Sequence, residues 1–179
     1  MKLAEVQKIN PNGIIIHSGI IFDVFDPKIE DIKITDIAYG LSNICRYGGH
    51  SPKFYSVAQH SVLCSLKPGS PQEQFDLLLH DGSEGLGLFD LPTPIKRQMP
   101  EYKRIEDNLM KLIAEKFNLS FPLTEKTHEV DKKLLEFEYK NFFEKPNTKF
   151  VFWSPKKSEK KFLERYYKLK KQINSKKMK

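Results

Sequence analysis

Residues 75–94, FDLLLHDGSEGLGLFDLPTP, place an apolar run directly before a cluster of ionisable side chains. The leucines at 77–79 favour a buried helix, yet His80, Asp81 and Glu84 follow at once, and burying charge is costly unless it is paired or bound to a metal ion. If the helix continues through Glu84, all three side chains share one side of it, because residues three and four positions apart are neighbours on a helix. An imidazole and two carboxylates suit a divalent ion that activates water. The stretch therefore predicts a metal site at the end of a buried helix.

Length and composition indicate a single domain with an ordinary core. The chain has 179 residues, of which 39% are hydrophobic, and such a domain needs no disulfides to fold. No apolar run approaches the roughly 20 residues of a membrane span, and the first residues lack the apolar core of a secretory signal. Cys45 and Cys64 form no CxxC pair, so we expect two reduced core thiols. These features predict a cytoplasmic protein with no membrane partner.

The net charge of +7 is concentrated at one end of the chain. Residues 156–179 contain ten Lys and one Arg against two Glu, a net charge of +9, which leaves −2 for residues 1–155. A nucleic-acid-binding protein would spread positive charge over the face that contacts phosphates, so we do not expect a nucleic-acid partner. Phe162, Tyr166 and Leu169 are expected to dock on the core while the lysines stay in water.

Apolar spacing predicts a mainly helical chain that begins with a small hairpin. Residues 13–24, GIIIHSGIIFDV, contain two β-branched runs around a His-Ser-Gly turn at 17–19. For the helix that begins after Lys28, the capping candidates are Thr35 and Asp36. Downstream, apolar residues recur at helical spacing. Besides the opening stretch, helices are predicted over residues 28–45, 54–66, 101–117, 125–143 and 158–173.

Three further residues allow a structural and a functional interpretation. Arg46, at a helix end before a glycine pair, would either clamp a phosphate through its planar guanidinium or pair with a surface acid. His60, on a buried helix, would be either a satisfied core residue or a metal ligand. Asp131, at the edge of a stripe expected to contain Leu134 and Phe137, would either favour the helix dipole or bind a metal. Both interpretations stay open for each residue taken alone.

Taken together, the candidate ligands form a recognisable series. His60, His80, Asp81 and Asp131 occur in this order on three predicted helices, about 20 and about 50 residues apart. With the motifs around them, they make the chain resemble the HD-domain metal-dependent phosphohydrolase superfamily. The resemblance is to its short bacterial and phage members that act on deoxynucleotides, such as 5′-deoxynucleotidases and phage deoxyadenosine triphosphate triphosphohydrolases. The matching motifs, which span most of the chain, are AQHS at 58–61, LLHD at 78–81, SE at 83–84, DLPTPIK at 90–96 and EVDKKLLEFE at 129–138.

The resemblance implies an all-α HD-domain helical bundle with a small N-terminal β-hairpin. It also implies one divalent ion, among cobalt, manganese, zinc, nickel and magnesium, bound by His60, His80, Asp81 and Asp131. Two carboxylates balance the charge of such an ion and leave positions open for water and a phosphate oxygen. The chain would then comprise the hairpin (1–27), a metal-binding helical core (28–145), and a linker with a basic C-terminal helix (146–179).

The resemblance further implies roles around the metal. Glu84 would take a proton from the attacking water, or hold a second ion together with Asp90. Arg46 would bind phosphate, the aromatic side chain after it, Tyr47, would pack on the nucleoside, and Lys96 would be a second phosphate contact. One departure stands out, since Asp90 follows Glu84 by six positions and is preceded by phenylalanine, where the family has five positions and a preceding glycine. The extra residue could swing Asp90 away from the site.

The activity implied is hydrolysis of a phosphate ester or anhydride bond by metal-activated water. Deoxynucleoside monophosphates and triphosphates, dATP among them, both remain candidate substrates, and the resemblance implies a homo-oligomer, either a dimer or a hexamer. The alternative is a catalytically inactive HD-fold module that binds nucleotides or, through its basic tail, nucleic acid. An intact ligand set argues against this alternative.

Overall fold

The computed structural model describes residues 3–177, which form a mostly helical structure with one small antiparallel hairpin. Among these residues, no helix combines the length and the apolar character required to cross a membrane. The hairpin strands are β1 (Ile14–Ile15) and β2 (Ile21–Phe22). The helices are α1 (Leu3–Ile9), α2 (Ile34–Asn43), α3 (Val57–Ser65), α4 (Pro71–Leu79), α5 (Thr93–Lys96), α6 (Pro100–Phe117), α7 (Glu125–Tyr139) and α8 (Pro155–Lys177).

The predicted hairpin is confirmed, and it covers one end of the core. Ile14 pairs with Phe22 and Ile15 with Ile21, and the Phe22 side chain is buried. Helix α1 was not predicted, because its seven residues offer too few positions for helical periodicity to show. It contributes Val6 as a buried side chain.

Helix α2 is connected to the hairpin by a buried carboxylate. The helix begins at Ile34, and neither capping candidate is its N-cap, which is Lys33. The capping prediction for Thr35 and Asp36 is therefore wrong. Asp36 is buried instead and accepts a hydrogen bond from the backbone N–H of Ser18 at 2.7 Å.

Helix α8 is a central element of the core, packed against α2, α3 and α4. Its Phe162, Tyr166 and Leu169 side chains are buried, as predicted, whereas Tyr167 is 58% exposed. Arg165 donates hydrogen bonds to the Ser65 hydroxyl and to its carbonyl oxygen, which fixes α8 to the end of α3. The basic C-terminal segment is therefore part of the fold, with one apolar face inside and a lysine-rich face outside.

Helix α4 ends earlier than the sequence pattern predicts. It stops at Leu79, the chain then turns, and Glu84–Leu86 form a short 3₁₀ helix. Helix α2 approaches this 3₁₀ segment closely, since a Cβ atom on Gly40 would lie only 2.0 Å from the carbonyl oxygen of Gly85. Only glycine at both positions allows this contact. The regular helix through Glu84 that we predicted is therefore wrong, although Glu84 still faces the core.

Candidate metal centre

Three elements of the fold bring imidazole and carboxylate groups to one point. His60 lies on α3, His80 directly follows α4, and Asp131 lies on α7. The Oδ1 atom of Asp131 is 2.9 Å from Nε2 of His60 and 3.6 Å from Nε2 of His80. The structure thus brings together three of the four residues that we predicted as ligands.

His80 directs a buried nitrogen lone pair at this point. Its Nδ1 lies 2.8 Å from the carbonyl oxygen of Leu77, which can only accept, so Nδ1 carries the proton and Nε2 is free of it in the neutral ring. Nε2 is buried and has no hydrogen-bond partner among residues 3–177. Since buried polar atoms are almost always satisfied, the chemistry of this nitrogen, with carboxylate oxygens of Asp81 and Asp131 at 3.3 and 3.6 Å, fits a metal ligand.

His60 is oriented in the same way by Glu138. Nδ1 of His60 lies 2.7 Å from Oε1 of Glu138, and both side chains are fully buried. Because ionised carboxylates only accept, both ring nitrogens of His60 donate in the metal-free protein, Nδ1 to Glu138 and Nε2 to Asp131 at 2.9 Å. Loss of the Nε2 proton would leave a lone pair directed at the position beside Asp131. Histidines that bind metal ions commonly donate their other ring proton to a carboxylate. Both imidazoles therefore direct Nε2 at the same carboxylate oxygen.

Glu138 is the meeting point of several donors. Its Oε1 also accepts a hydrogen bond from the Tyr55 hydroxyl at 2.5 Å, and its Oε2 accepts one from the Tyr47 hydroxyl at 2.8 Å. Nε of Arg46 lies 3.5 Å from Oε2. Burial by itself raises the pKa of Glu138, but His60, Arg46 and the Tyr55 hydrogen bond lower it to about 2. The ionised Glu138 carboxylate thus connects a candidate ligand to two residues that we predicted as substrate contacts.

The sequence interpretation missed Glu138 because it placed Phe137 on the buried face of α7. The expectation that Leu134 is buried is confirmed, and the expectation for Phe137 is wrong. The structure buries Thr127, Leu134 and Glu138, and leaves Phe137 47% exposed. Apolar periodicity overlooks a carboxylate whose charge is balanced by buried donors. The available signal was spacing, because Glu138 follows Asp131 by seven positions, two turns along the same helix face.

Cys64 belongs to the centre, where we expected only a core thiol. Its Sγ lies 3.5 Å from Nε2 of His60, and the side chain is fully buried. The ligand atoms of His60, Cys64, His80 and Asp131 all lie within 4.8 Å of one another. This buried group can hold a metal ion.

Asp81, the fourth residue that we predicted as a ligand, lies beside this group. Its Oδ2 is 3.3 Å from Nε2 of His80 and 3.8 Å from Nη1 of Arg46. The carboxylate is partly exposed because it is turned toward Arg46 and the open side of the centre. The role of Asp81 as a ligand stays a prediction.

The charges at the centre favour a cation between the imidazoles and the carboxylates. Burial by itself lowers the pKa of His80, but the carboxylates of Asp81 and Asp131 raise it to about 10. Burial acts to raise the pKa of Asp131, yet its contacts with His60 and His80 hold that pKa well below its usual range. In the absence of a metal ion, protons on the imidazoles supply this positive charge. Two imidazoles with carboxylates fit a divalent first-row transition-metal ion.

A cavity of about 300 Å³, here termed the Arg46 cavity, opens beside the centre. Glu84 lies in its wall and is only 3% exposed. Its Oε1 is 3.6 Å from Nζ of Lys96, and its Oε2 has no hydrogen-bond partner in the described part of the chain. Burial and the nearby carboxylates of Asp81 and Asp90 raise the pKa of Glu84. The cavity is thus lined by residues that we predicted around the metal, namely Arg46, Tyr47, Asp81, Glu84, Asp90 and Lys96.

Asp90 stays at the cavity despite the extra residue before it. It lines the same cavity as Glu84, and burial raises its pKa more than Arg46 lowers it. The preceding residue, Phe89, is 68% exposed, and its backbone N–H and carbonyl group both bond to the Tyr102 hydroxyl. Phe89 is therefore turned outward while Asp90 lines the cavity, and the displacement of Asp90 from Glu84 that the spacing suggested does not occur.

Lys96 and Arg46, which we predicted as phosphate contacts, differ in how closely carboxylates of the protein already pair with them. Nζ of Lys96 donates to Oε1 of Glu106 at 2.7 Å. Burial acts to lower the pKa of Lys96, but this hydrogen bond and the neighbouring carboxylates raise it above its usual value. Arg46 is buried, and its Nε atom is without a hydrogen-bond partner within residues 3–177. Arg46 thus keeps donor capacity that a phosphate oxygen could use.

Tyr47 is held in place by the protein itself. Its φ angle of 59° lies in the left-handed region, which is uncommon for a bulky residue. Besides the hydrogen bond to Glu138, its ring packs edge-on against Phe143 with centroids 5.3 Å apart. The hydroxyl and one ring edge of Tyr47 therefore already have partners within the protein. Packing of Tyr47 on a nucleoside stays a prediction.

A second cavity, here termed the Phe121 cavity, also reaches the centre, and its volume is about 590 Å³. It shares Asp81, Lys96 and Asp131 with the Arg46 cavity. Its remaining walls come from α6, from residues 121–123 and from His128 on α7. The sequence interpretation did not select these residues, since they are scattered over a helix that was read as scaffold and the loop after it.

Comparison with known proteins identifies relatives but no activity. No protein-family model matches the chain. The chain is 52% identical over 91 residues to the uncharacterized protein YfdR of Escherichia coli strain K12, which covers 50% of this chain and 49% of YfdR. It is 35% identical over 111 residues to the uncharacterized protein RCAP_rcc00048 of Rhodobacter capsulatus, covering 57% of this chain and 56% of that protein. The matched regions thus span about half the length of both relatives.

Proposed function

We propose that this protein is an HD-type metal-dependent phosphohydrolase that acts on deoxynucleotides. The observation that carries the proposal is the pair of imidazoles at the centre. Nδ1 of His60 and Nδ1 of His80 are both engaged by acceptors, and both Nε2 atoms face Asp131 beside a cavity that contains a buried arginine. An isolated buried histidine needs no such arrangement, whereas a hydrolytic metal site does.

His60, His80, Asp131 and Asp81 would hold the ion, with Cys64 as a neighbouring thiol. When bound there, a divalent ion supplies Lewis-acid polarisation and lowers the pKa of water. Imidazole donors favour manganese, cobalt, nickel or zinc over magnesium, which prefers oxygen ligands. With the ion bound, Glu138 would hold the remaining proton of His60 on Nδ1 and so leave Nε2 free for the metal.

The Arg46 cavity provides the groups that phosphoryl chemistry requires. The guanidinium of Arg46 and the ammonium of Lys96 would offset the negative charge that builds on the phosphate oxygens. Oε2 of Glu84, which has no hydrogen-bond partner in residues 3–177, would accept a proton from the attacking water. The raised pKa of Glu84 makes its carboxylate a stronger base than an exposed one. Asp90 would orient that water, or hold a second ion together with Glu84.

The test is hydrolysis of deoxynucleotides by the full chain loaded with manganese or cobalt. We expect hydrolysis of the monophosphates, the triphosphates or both, and chromatography of the released phosphate, pyrophosphate or triphosphate identifies the bond that is cut. The substitution Asp131→Asn should lower kcat/KM at least about 100-fold, because it removes a ligand charge. Glu129→Gln makes the same chemical change at an exposed position of α7 and should leave the activity unchanged.

Two results would overturn the proposal. One is a metal-loaded, folded protein that hydrolyses none of the deoxynucleotides. The other is an Asp131→Asn protein whose turnover and metal content match those of the Glu129→Gln control.

A further inference from the structure

The metal centre opens into two cavities, so a substrate bound there has space in two directions. The Arg46 cavity and the Phe121 cavity meet at Asp81, Lys96 and Asp131. Their volumes are about 300 and about 590 Å³, and the larger one falls within the range of small-molecule binding sites. A nucleotide has a charged phosphate part and a largely uncharged nucleoside part, and the two cavities differ in which part they suit.

The cations of the Phe121 cavity are already committed to carboxylates. Nζ of Lys103 lies 2.5 Å from Oδ1 of Asp107 and 3.7 Å from Oε2 of Glu106. Nζ of Lys96 lies 2.7 Å from the other oxygen of Glu106. A phosphate placed in this cavity would meet two carboxylates whose charges the lysines only balance. The cavity is therefore poorly suited to a phosphate group.

The same cavity offers apolar surface and hydrogen-bond acceptors. Met110, Phe121, Pro122 and Leu123 line it, and Phe121 is 40% exposed. Stacking of a base on an aromatic ring is favourable for every base. The carboxylates of Glu106 and Asp107 could accept hydrogen bonds from a sugar hydroxyl or a base amino group.

In the Arg46 cavity the cation is paired less closely. Carboxylates of Glu138 and Asp81 lie 3.5 and 3.8 Å from the Arg46 guanidinium, against 2.5 and 2.7 Å for the nearest carboxylates of the two lysines, and Nε of Arg46 has no hydrogen-bond partner within the described residues. A phosphate oxygen can use such a donor. The aromatic side chain of this cavity, Tyr47, is engaged by Glu138 and Phe143. Phosphate is therefore favoured here, and base stacking is favoured in the other cavity.

We infer that the Phe121 cavity binds the nucleoside part of the substrate, while the phosphate to be cleaved lies at the centre toward Arg46. This inference rests on the function proposed above, and it assigns the nucleoside to α6, residues 121–123 and His128 in place of Tyr47. It makes Phe121 a specificity-determining residue.

The first test measures binding without hydrolysis. Calorimetric titration of the metal-free full chain with deoxyadenosine, deoxyguanosine, deoxycytidine and thymidine should detect at least one complex. Phe121→Ala should weaken that complex about tenfold or more. His128→Ala, at an exposed position of the same cavity, should weaken it as well and does not threaten the fold. The control is Phe25→Ala. Phe25 is 64% exposed and lines neither cavity, so its removal should leave the affinity for the deoxynucleoside unchanged.

The second test uses the metal-loaded protein and compares two substrates. Phe121→Ala should raise KM for a deoxynucleoside monophosphate about tenfold, and leave kcat/KM for 2-deoxyribose 5-phosphate, which has no base to stack, within about twofold of the wild type. Leu91→Ala, in the wall of the Arg46 cavity, is the comparison variant. If the nucleoside lies in the Phe121 cavity, this variant should not raise KM for the deoxynucleoside monophosphate.

The outcomes separate this inference from the proposed function. If the wild type hydrolyses deoxynucleotides but Leu91→Ala raises KM and Phe121→Ala does not, the nucleoside lies in the Arg46 cavity and the inference is wrong while the function stands. If no deoxynucleoside binds the wild type, the inference is equally overturned. If the wild type binds deoxynucleosides through Phe121 but hydrolyses no nucleotide, the binding site stands and the proposed function falls.

Discussion

Glu138 and His60 form a fully buried hydrogen bond, 2.7 Å between Oε1 and Nδ1, that directs the opposite nitrogen of the ring at Asp131. The same carboxylate accepts hydrogen bonds from the hydroxyl groups of Tyr47 and Tyr55. Glu138 is thus a positioning residue, since it touches neither the candidate ion nor the substrate position itself. It connects the orientation of a ligand to the residues of the Arg46 cavity.

The substitution Glu138→Gln should weaken metal binding while the protein stays folded. The neutral amide is a weaker acceptor for the His60 ring proton, and supporting contacts of this kind typically contribute 10- to 100-fold in metal affinity, so a loss of about that size is expected. Calorimetric metal titration measures it, and circular dichroism reports the fold. Glu136→Gln, at an exposed position of the same helix, is the matched control. Equal metal affinities for the two variants would refute the positioning role.

Metal affinity should rise with pH. The carboxylates around His80 raise its pKa to about 10, so in the metal-free protein this imidazole is protonated near neutral pH and must lose its proton before an ion can bind. If the metal displaces one proton, its apparent affinity should rise about tenfold for each pH unit, as long as the pH stays below the pKa of His80. Titrations between pH 6 and pH 8 measure the slope. An affinity that stays constant over this range would contradict the competition between proton and metal.

Replacing Gly85 should disturb both the fold and the centre. A Cβ atom there would lie 2.6 Å from the carbonyl oxygen of Ile37, so Gly85→Ala pushes the 84–86 segment away from α2. Overpacking of this kind typically costs about 1–3 kcal/mol in the free energy of unfolding. Denaturant unfolding measures the cost, and the activity should fall because Glu84 moves with its neighbour. Gly69→Ala, where the nearest atoms belong to the flexible Glu73 side chain, should cost less, and an equal cost would argue against the close contact.

The neighbouring tyrosines of α8 offer a matched test of its place in the core. Tyr166 is 2% exposed and Tyr167 is 58% exposed. Tyr166→Ala should lower the free energy of unfolding by about 3 kcal/mol or more, because it leaves a cavity under a core helix. Tyr167→Ala should change it by no more than about 0.5 kcal/mol. If both variants unfold at the same denaturant concentration, α8 is not the core element described above.

The sequence predicts those parts of the structure that depend on local pattern. The β-branched runs at 14–15 and 21–22 predicted the hairpin, and apolar spacing predicted the buried stretch around His60. The meeting of His60, His80 and Asp131 was expected from the resemblance that their order and the motifs around them carry. These features need no knowledge of how helices pack.

The remainder depends on contacts between distant elements. Helix α4 ends at Leu79, and Gly40 of α2 packs closely against Gly85 in the segment that follows, a contact that no local pattern encodes. Glu138 is buried because donors from α3 and the 46–55 segment surround it, whereas periodicity assigns a carboxylate to solvent. Cys64 joins the centre only through its position one turn after His60, with the helix turned to face α7. These features become visible only once the helices are assembled.

Reconstitution with metal tests the central claim most directly. Chelator-treated full chain is titrated with manganese or cobalt, and the bound metal per chain is measured alongside the hydrolysis of deoxynucleoside mono- and triphosphates. The account predicts that the metal-free protein is inactive and that activity rises in proportion to bound metal at the His60, His80 and Asp131 centre, with His80→Ala binding little metal and showing no activity. Hydrolysis that persists after complete removal of metal, or full metal loading with no hydrolysis of any deoxynucleotide, would contradict it.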